Sequence, residues 1–158
     1  MSTTIRPFEG RDADAIVALA LRAWEPVHRS MGEVLGPEIN ARVYPNWRVS
    51  QERDVRKACA EQLASVATTE ENIVGFVTVV IEGPEQPGEI YMIAVDPPFQ
   101  RDGLGRALTE HALQQIRDAG CRVAVVGTGG DPGHAPARAL YESCGFTALP
   151  LVNYYRLV

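Results

Sequence analysis

Apolar residues recur along this chain first at helical spacing and later in short β-branched runs. After Asp12, Ile16, Leu19, Ala20, Ala23 and Trp24 return every three or four positions. The pattern predicts a helix capped by Asp12 that buries an Ile/Leu/Ala stripe and frays before Pro26. A short strand, Thr4 to Phe8, precedes it. Residues 26–50 are broken by Gly32, Gly36, Pro37 and Pro45, with a short helix expected around Glu38 to Tyr44. Ser50 is a candidate cap for a further helix that turns Val55, Ala58 and Cys59 inward.

The period then changes. Leu63 to Thr69 and Ile73 to Ile81 predict a hairpin around Glu70-Glu71-Asn72, its second arm rich in β-branched residues. Ile90 to Val95 is the next strand, ended by Asp96-Pro97-Pro98 because consecutive prolines cannot continue a ladder. Leu104, Leu108, Ala112 and Ile116 mark one face of a helix that stops near Gly120. Arg122 to Val126 reads as a strand and Gly127 to Gly133 as a long flexible loop. Pro136 to Cys144 reads as a short helix with Gly145 as its C-cap, and Val152 to Val158 alternates like a last strand. Strands interleaved with helices, without repeats or linkers, predict one α/β domain built on a mixed sheet.

At 158 residues the chain has the length of one domain with a sizeable core. No apolar run approaches the roughly 20 residues of a membrane span, and the N-terminus lacks the apolar core of a signal peptide. The expectation is a cytoplasmic protein. Cys59, Cys121 and Cys144 are widely spaced and form no metal pattern with the three histidines, so no metal is expected. A net charge of −5 argues against nucleic-acid binding and mildly favours a cationic partner such as an amine.

Gln100-Arg101-Asp102-Gly103-Leu104-Gly105 carries the strongest chemical signal. It lies between the strand Ile90 to Val95 and the helix starting at Leu104, an order that builds an anion site. The first N–H groups of a helix have no partner within it, and the dipole adds partial positive charge. Glycines 103 and 105 let a pyrophosphate approach the main chain. Gln100 supplies donors and Arg101 or Arg106 a charge, whereas Asp102 is repulsive there and should face solvent or an arginine. Leu108 stands where a dinucleotide fingerprint needs its third glycine.

A second motif lies downstream, in which Ala137, Leu140, Tyr141, Gly145 and Phe146 stand at set spacings. The two motifs, in this order, resemble the GNAT superfamily of acyl-CoA-dependent N-acetyltransferases. The resemblance covers residues 73–146 well and the start, Thr4 to Ala23, loosely. It implies a single-domain GNAT fold over residues 1–158, with residues 1–62 shaping an acceptor site and residues 90–146 binding acetyl-CoA. It also implies that the pantetheine arm pairs with the segment Ile93, Ala94 and Val95 like an extra strand. Backbone groups of Ile93 and Val95 would make the contacts, and an N–H there would polarise the thioester carbonyl.

Tyr141 stands where many members of that family have a phenol that protonates the departing thiolate. A phenol of pKa ~10 is protonated at neutral pH and suits that task. His134 stands where the family has asparagine, after a loop longer than usual, and is read either as a donor to the cofactor arm or as a base. Glu89, Asp131, Glu25 and a water relay are the other candidates for the base. Trp24, His28, Tyr44 and Trp47 fall in the part that resembles the family's acceptor side, and their aromatic rings suit a small amine. The expected reaction is direct attack by the amine of a small molecule or peptide on bound acetyl-CoA, by a monomer or homodimer. The rivals are a non-catalytic acyl-CoA-binding or regulatory module with the same fold, and a nucleotide-binding module.

Overall fold

The computed structural model describes residues 2–70 and 72–158. Five strands form one sheet in the order β1-β2-β3-β4-β5, with β1 Thr4–Pro7, β2 Leu63–Thr68, β3 Ile73–Val80, β4 Gly88–Val95 and β5 Ala124–Val126. The first four are antiparallel and β5 runs parallel to β4, so the sheet is mixed. Five helices complete the domain: α1 Ala13–Leu35, α2 Pro37–Val43, α3 Trp47–Glu61, α4 Leu104–Asp118 and α5 Ala135–Ser143. The expected hairpin joins β2 and β3, and Glu71 in its turn lies outside the described residues.

Alternation along the strands divides the core between the two faces of the sheet. Val66, Phe76 and Ala94 meet Ile16, Leu19 and Ala20 of α1 and Val55 and Cys59 of α3. Ala67, Val74, Val77, Val79 and Ile90 meet Leu104, Leu108, Ala112 and Ile116 of α4 on the other face. Helix α5 lies beside α4, where a Cβ on Gly105 would stand 3.2 Å from Leu140 Cδ2. The amphipathic stripes read from the sequence are therefore the faces that are buried.

Four local expectations are corrected. Helix α1 does not fray at Pro26 but runs through it to Leu35. The proline forfeits one helical bond, but α1 is held on both sides of it. Arg22 donates from Nε and Nη2 to the two Asp96 oxygens at 2.9 Å each, and Ser30 Oγ donates to Asp131 Oδ2 at 2.6 Å. Asp12 does stand at the N-cap of α1, but its carboxylate makes no capping bond there and instead accepts from Arg6 Nη1 and Nη2 and from the Glu9 N–H. Ser50 lies inside α3, one turn after the N-cap Asn46. Val152 to Val158 forms no strand, and Tyr154 and Val158 are exposed. Alternation needs a neighbouring edge to bond to, and this segment is paired with none. No helix among the described residues is long and apolar enough to cross a membrane.

Candidate active site

Strand β5 pairs with β4 only at Gly88, Glu89 and Ile90. Beyond Val126 the chain leaves the sheet, although a longer β5 would have covered Tyr91 to Val95. Tyr91 is also where β4 bulges, because its pairing with β3 passes from Val79↔Ile90 to Thr78↔Met92. Past the bulge, Asp96 N bonds Val74 O and Met92 N bonds Thr78 Oγ1, so even-numbered residues turn their polar groups to β3. By alternation Ile93 and Val95 turn theirs into the gap beside β5. The result is a wedge with a strand edge along one wall. Ala94, paired with Phe76 and buried, offers that edge nothing from its backbone.

The loop Gln100–Gly105 stands at the α4 end of this wedge. Gly103 is left-handed (φ +82°) and caps α4, where its carbonyl accepts from Ala107 N. The N–H groups of Leu104, Gly105 and Arg106 precede that first helical bond and have no partner within the helix, as an anion site would require. Arg101 is also left-handed (φ +70°) and exposed, as is Asp102, which faces solvent. Two expected side-chain donors have structural partners instead. Gln100 Nε2 donates to Val95 O at 2.9 Å, and Arg106 Nη2 donates to Ser143 O at 2.9 Å, at the C-terminal end of α5. Leu104 turns its side chain into the core. Gly105 has a packing reason, the approach to Leu140, in addition to the chemical one.

Tyr141 lies on α5 and is buried, its ring edge-on to Phe146 at 5.9 Å. Burial, with a smaller contribution from Cys144, pushes its phenol up to about 12. It therefore holds its proton at neutral pH. Gly145 (φ +89°) ends α5 as expected, with Phe146 N bonding Tyr141 O.

A second group of candidates lies among α1, α2 and α3. His28 stacks on Trp47 at 4.1 Å and meets Tyr44 edge-on at 5.5 Å. The guanidinium of Arg48 covers Trp47 at 4.3 Å, so Trp47 clamps His28 rather than offering a free face. His28, Trp47 and Arg48 line a cavity of about 420 Å³ with Glu25 and Asn40. Burial lowers the pKa of His28, and the neighbouring His134 and Arg48 add to this against a bond from Gln51. Trp24, expected beside them, instead packs edge-on to Phe76 and belongs to the core. It lies one turn before His28 on the same stripe, which passes from core to cavity between the two.

His134 ends the loop after β5, and its Nδ1 bonds Asp131 Oδ1. Asp131 also accepts from Ser30 Oγ, and Arg138 of α5 donates to the carbonyls of Gly129 and Asp131 at 2.6 and 2.8 Å. The loop expected to be flexible is thus bonded to α1 and to α5. Ser30 carried no signal in the sequence, a lone serine in a helix. Glu89 sits where β4 is still paired on both sides, opposite Val80 and Val125, and outside the wedge. Glu25 pairs with Arg29 and Arg48 at the surface. No cluster of three or more His, Cys, Asp or Glu fit to hold a metal occurs among the described residues.

The profile of the acetyltransferase (GNAT) family matches residues 28–146. A mycothiol acetyltransferase of Amycolatopsis mediterranei is 30% identical over 146 residues, covering 87% of this chain and 44% of the relative. One from Thermobispora bispora is 34% identical, covering 96% of this chain and 49% of the relative. The chain thus spans about half the length of these relatives. Among solved structures, the ribosomal-protein-S18-alanine N-acetyltransferase of Escherichia coli superposes with a TM-score of 0.63 at 25% identity, over 94% of this chain and 80% of that one. A protein from Pyrococcus horikoshii reaches 0.71 at 18% identity, over 96% and 93%, a likeness of fold.

Proposed function

We propose, given that this chain belongs to the GNAT acetyltransferase family, that it transfers an acetyl group from acetyl-CoA to the primary amine of a small molecule or peptide. The observation that carries the reading is the open edge of β4, Tyr91 to Val95, ending at the free donors of α4. A pantetheine arm has amides that can bond a strand edge, and a pyrophosphate is the anion that a glycine turn and helix N-terminus bind. Both fit one continuous groove. An N–H on that edge, from Ile93 or Val95, polarises the thioester carbonyl as the tetrahedral oxyanion forms.

The two faces of the sheet divide the work. The donor enters from the α4 face, where Tyr141 and Phe146 lie, and Tyr141 gives its proton as the C–S bond breaks. The amine enters from the α1 face, past His28 and Tyr44. The experiment is a thermal shift with acetyl-CoA, CoA and ATP, followed by thiol release across an amine panel. Acetyl-CoA and CoA are expected to raise Tm well above ATP, because stabilisation follows ln(1 + [L]/Kd) and only they fill the strand edge. Equal shifts with ATP would point to a nucleotide module. Tight acetyl-CoA binding with no thiol release from any amine would point to a non-catalytic acyl-CoA-binding protein.

A further inference from the structure

The loop between β5 and α5 is built around one carboxylate. Asp131, 12% exposed, accepts at Oδ2 from Ser30 Oγ (2.6 Å) and from Gly133 N (3.0 Å), and turns Oδ1 to Nδ1 of His134, itself 21% exposed. Ser30 in turn accepts from Gly133 N at 2.8 Å. Two glycines make this closure possible. A Cβ on Gly129 would overlap the imidazole of His134, and one on Gly133 would stand 2.6 Å from Ser30 Cβ. The lack of side chains at these two positions is therefore what lets the loop fold onto α1.

A carboxylate only accepts, so the nitrogen facing it carries the proton and the other ring nitrogen keeps its lone pair. Bonds from Ser30 and His134 outweigh the burial that would raise the Asp131 carboxyl and hold it below its usual range. The charged carboxylate is therefore the favoured form. We infer that His134 is the general base for the incoming amine, acting through Nε2, and that Asp131 and Ser30 are its positioning residues. The inference rests on the acetyl-transfer reading and deepens it. Its location agrees, since Ser30 anchors the imidazole on the α1 face, opposite the face that carries Tyr141.

The proton balance closes. The substrate ammonium gives one proton to His134 Nε2, and the freed amine attacks the carbonyl carbon, forming the C–N bond while the π pair moves to oxygen. Collapse returns that pair and expels the thiolate, which takes the proton of Tyr141. The second proton leaves nitrogen in the same collapse and restores the phenol, and imidazolium passes its proton to water. The titratable and charged groups around His134 are Asp131 in its own loop, Arg138 of α5, His28 of α1, Tyr44 just past α2, Arg48 of α3 beside His28, and Tyr155 against Tyr44. Asp131 alone among them bonds the imidazole directly.

The test combines pH profiles with a tautomer measurement. His134→Ala should lower kcat by ~10²–10³-fold, erase the acidic limb of the pH profile and leave acetyl-CoA affinity unchanged. Asp131→Asn should lower kcat by about 10- to 100-fold and release the imidazole from the Nδ1–H tautomer, because the acceptor that fixes the ring is weakened. Ser30→Ala, a milder change, should cost about 10-fold and keep the fold should Asp131→Asn lose it. Nitrogen-15 spectra of the unliganded protein, assigned against His134→Ala, should show Nδ1 protonated. An Nε2–H tautomer in the wild type, an unchanged kcat in Asp131→Asn, or wild-type kcat in His134→Ala would overturn the inference. No thiol release from the wild type with any amine would overturn the acetyl-transfer reading and the base role with it, while the tautomer still decides the positioning.

Discussion

Replacing Tyr141 by Phe removes one hydroxyl and leaves the ring where it packs against Phe146. Burial has pushed the phenol up to about 12, well above a thiol at ~8.5. The phenol holds its proton until late in the reaction, so its contribution in the transition state is the hydrogen bond it donates to sulfur as charge develops there, and transfer completes as the proton from the substrate nitrogen reaches the phenol oxygen. A hydrogen bond to a charged partner is worth ~1.5–3 kcal/mol, which corresponds to a ~10- to 150-fold loss of kcat. The assay is thiol release at saturating acetyl-CoA and amine, with Kd for acetyl-CoA by calorimetry. Affinity should be unchanged, and Tm should move by no more than about a degree or two, since burial and Cys144, not a hydrogen bond, account for the hydroxyl's surroundings. The loss should shrink for thioesters with a more acidic leaving thiol. Wild-type kcat in Tyr141→Phe would refute the role, and a loss of donor affinity instead would make the hydroxyl a binding contact.

Two further predictions test the frame that holds the site. A methyl group at Gly88 would meet Cγ1 and Cγ2 of the buried Ile116 at 2.7 Å each, so α4 must move away from β4. Gly88→Ala should cost about 2 kcal/mol and lower Tm by about 4–8 °C. The double variant with Ile116→Ala should be less destabilised than the sum of the singles in urea unfolding, and strict additivity would show that the clash is relieved elsewhere. Asp12 is held below its usual range by the Arg6 hydrogen bonds, against burial and helped by the Glu9 N–H. A lowered folded-state pKa stabilises above the unfolded value near 3.9, and that contribution fades as pH falls below it. Asp12→Asn should therefore lose about 2 kcal/mol at pH 7 and converge with the wild type near pH 2, as seen in unfolding curves across pH. A constant offset at every pH would exclude the ion pair as the cause.

The sequence by itself determined the phase of α4 and of the first half of α1, the turn at Gln100–Gly105 and the stop at Gly145. Each of these depends on residues within a few positions of one another. Leu104, Leu108, Ala112 and Ile116 must share a face whatever surrounds them, and Gly103 and Gly145 have the positive φ that a cap demands. Local pattern misled where a distant partner decides. Pro26 breaks an isolated helix, but Arg22 meets Asp96 and Ser30 meets Asp131 on either side of it, at separations of 74 and 101 residues. The alternation of Val152 to Val158 suggests a strand, but pairing needs an edge and none is bonded to it. The aromatic residues of α1 read alike in sequence, and only the sheet's extent places Trp24 over Phe76 and His28 beyond it. The wedge itself is the absence of pairing between two strands, which no run of residues in either one encodes. The acid and base candidates stand only seven residues apart in sequence, but what holds the base is Ser30, which reaches it through Asp131 across 101 residues, and no local pattern announces that partner.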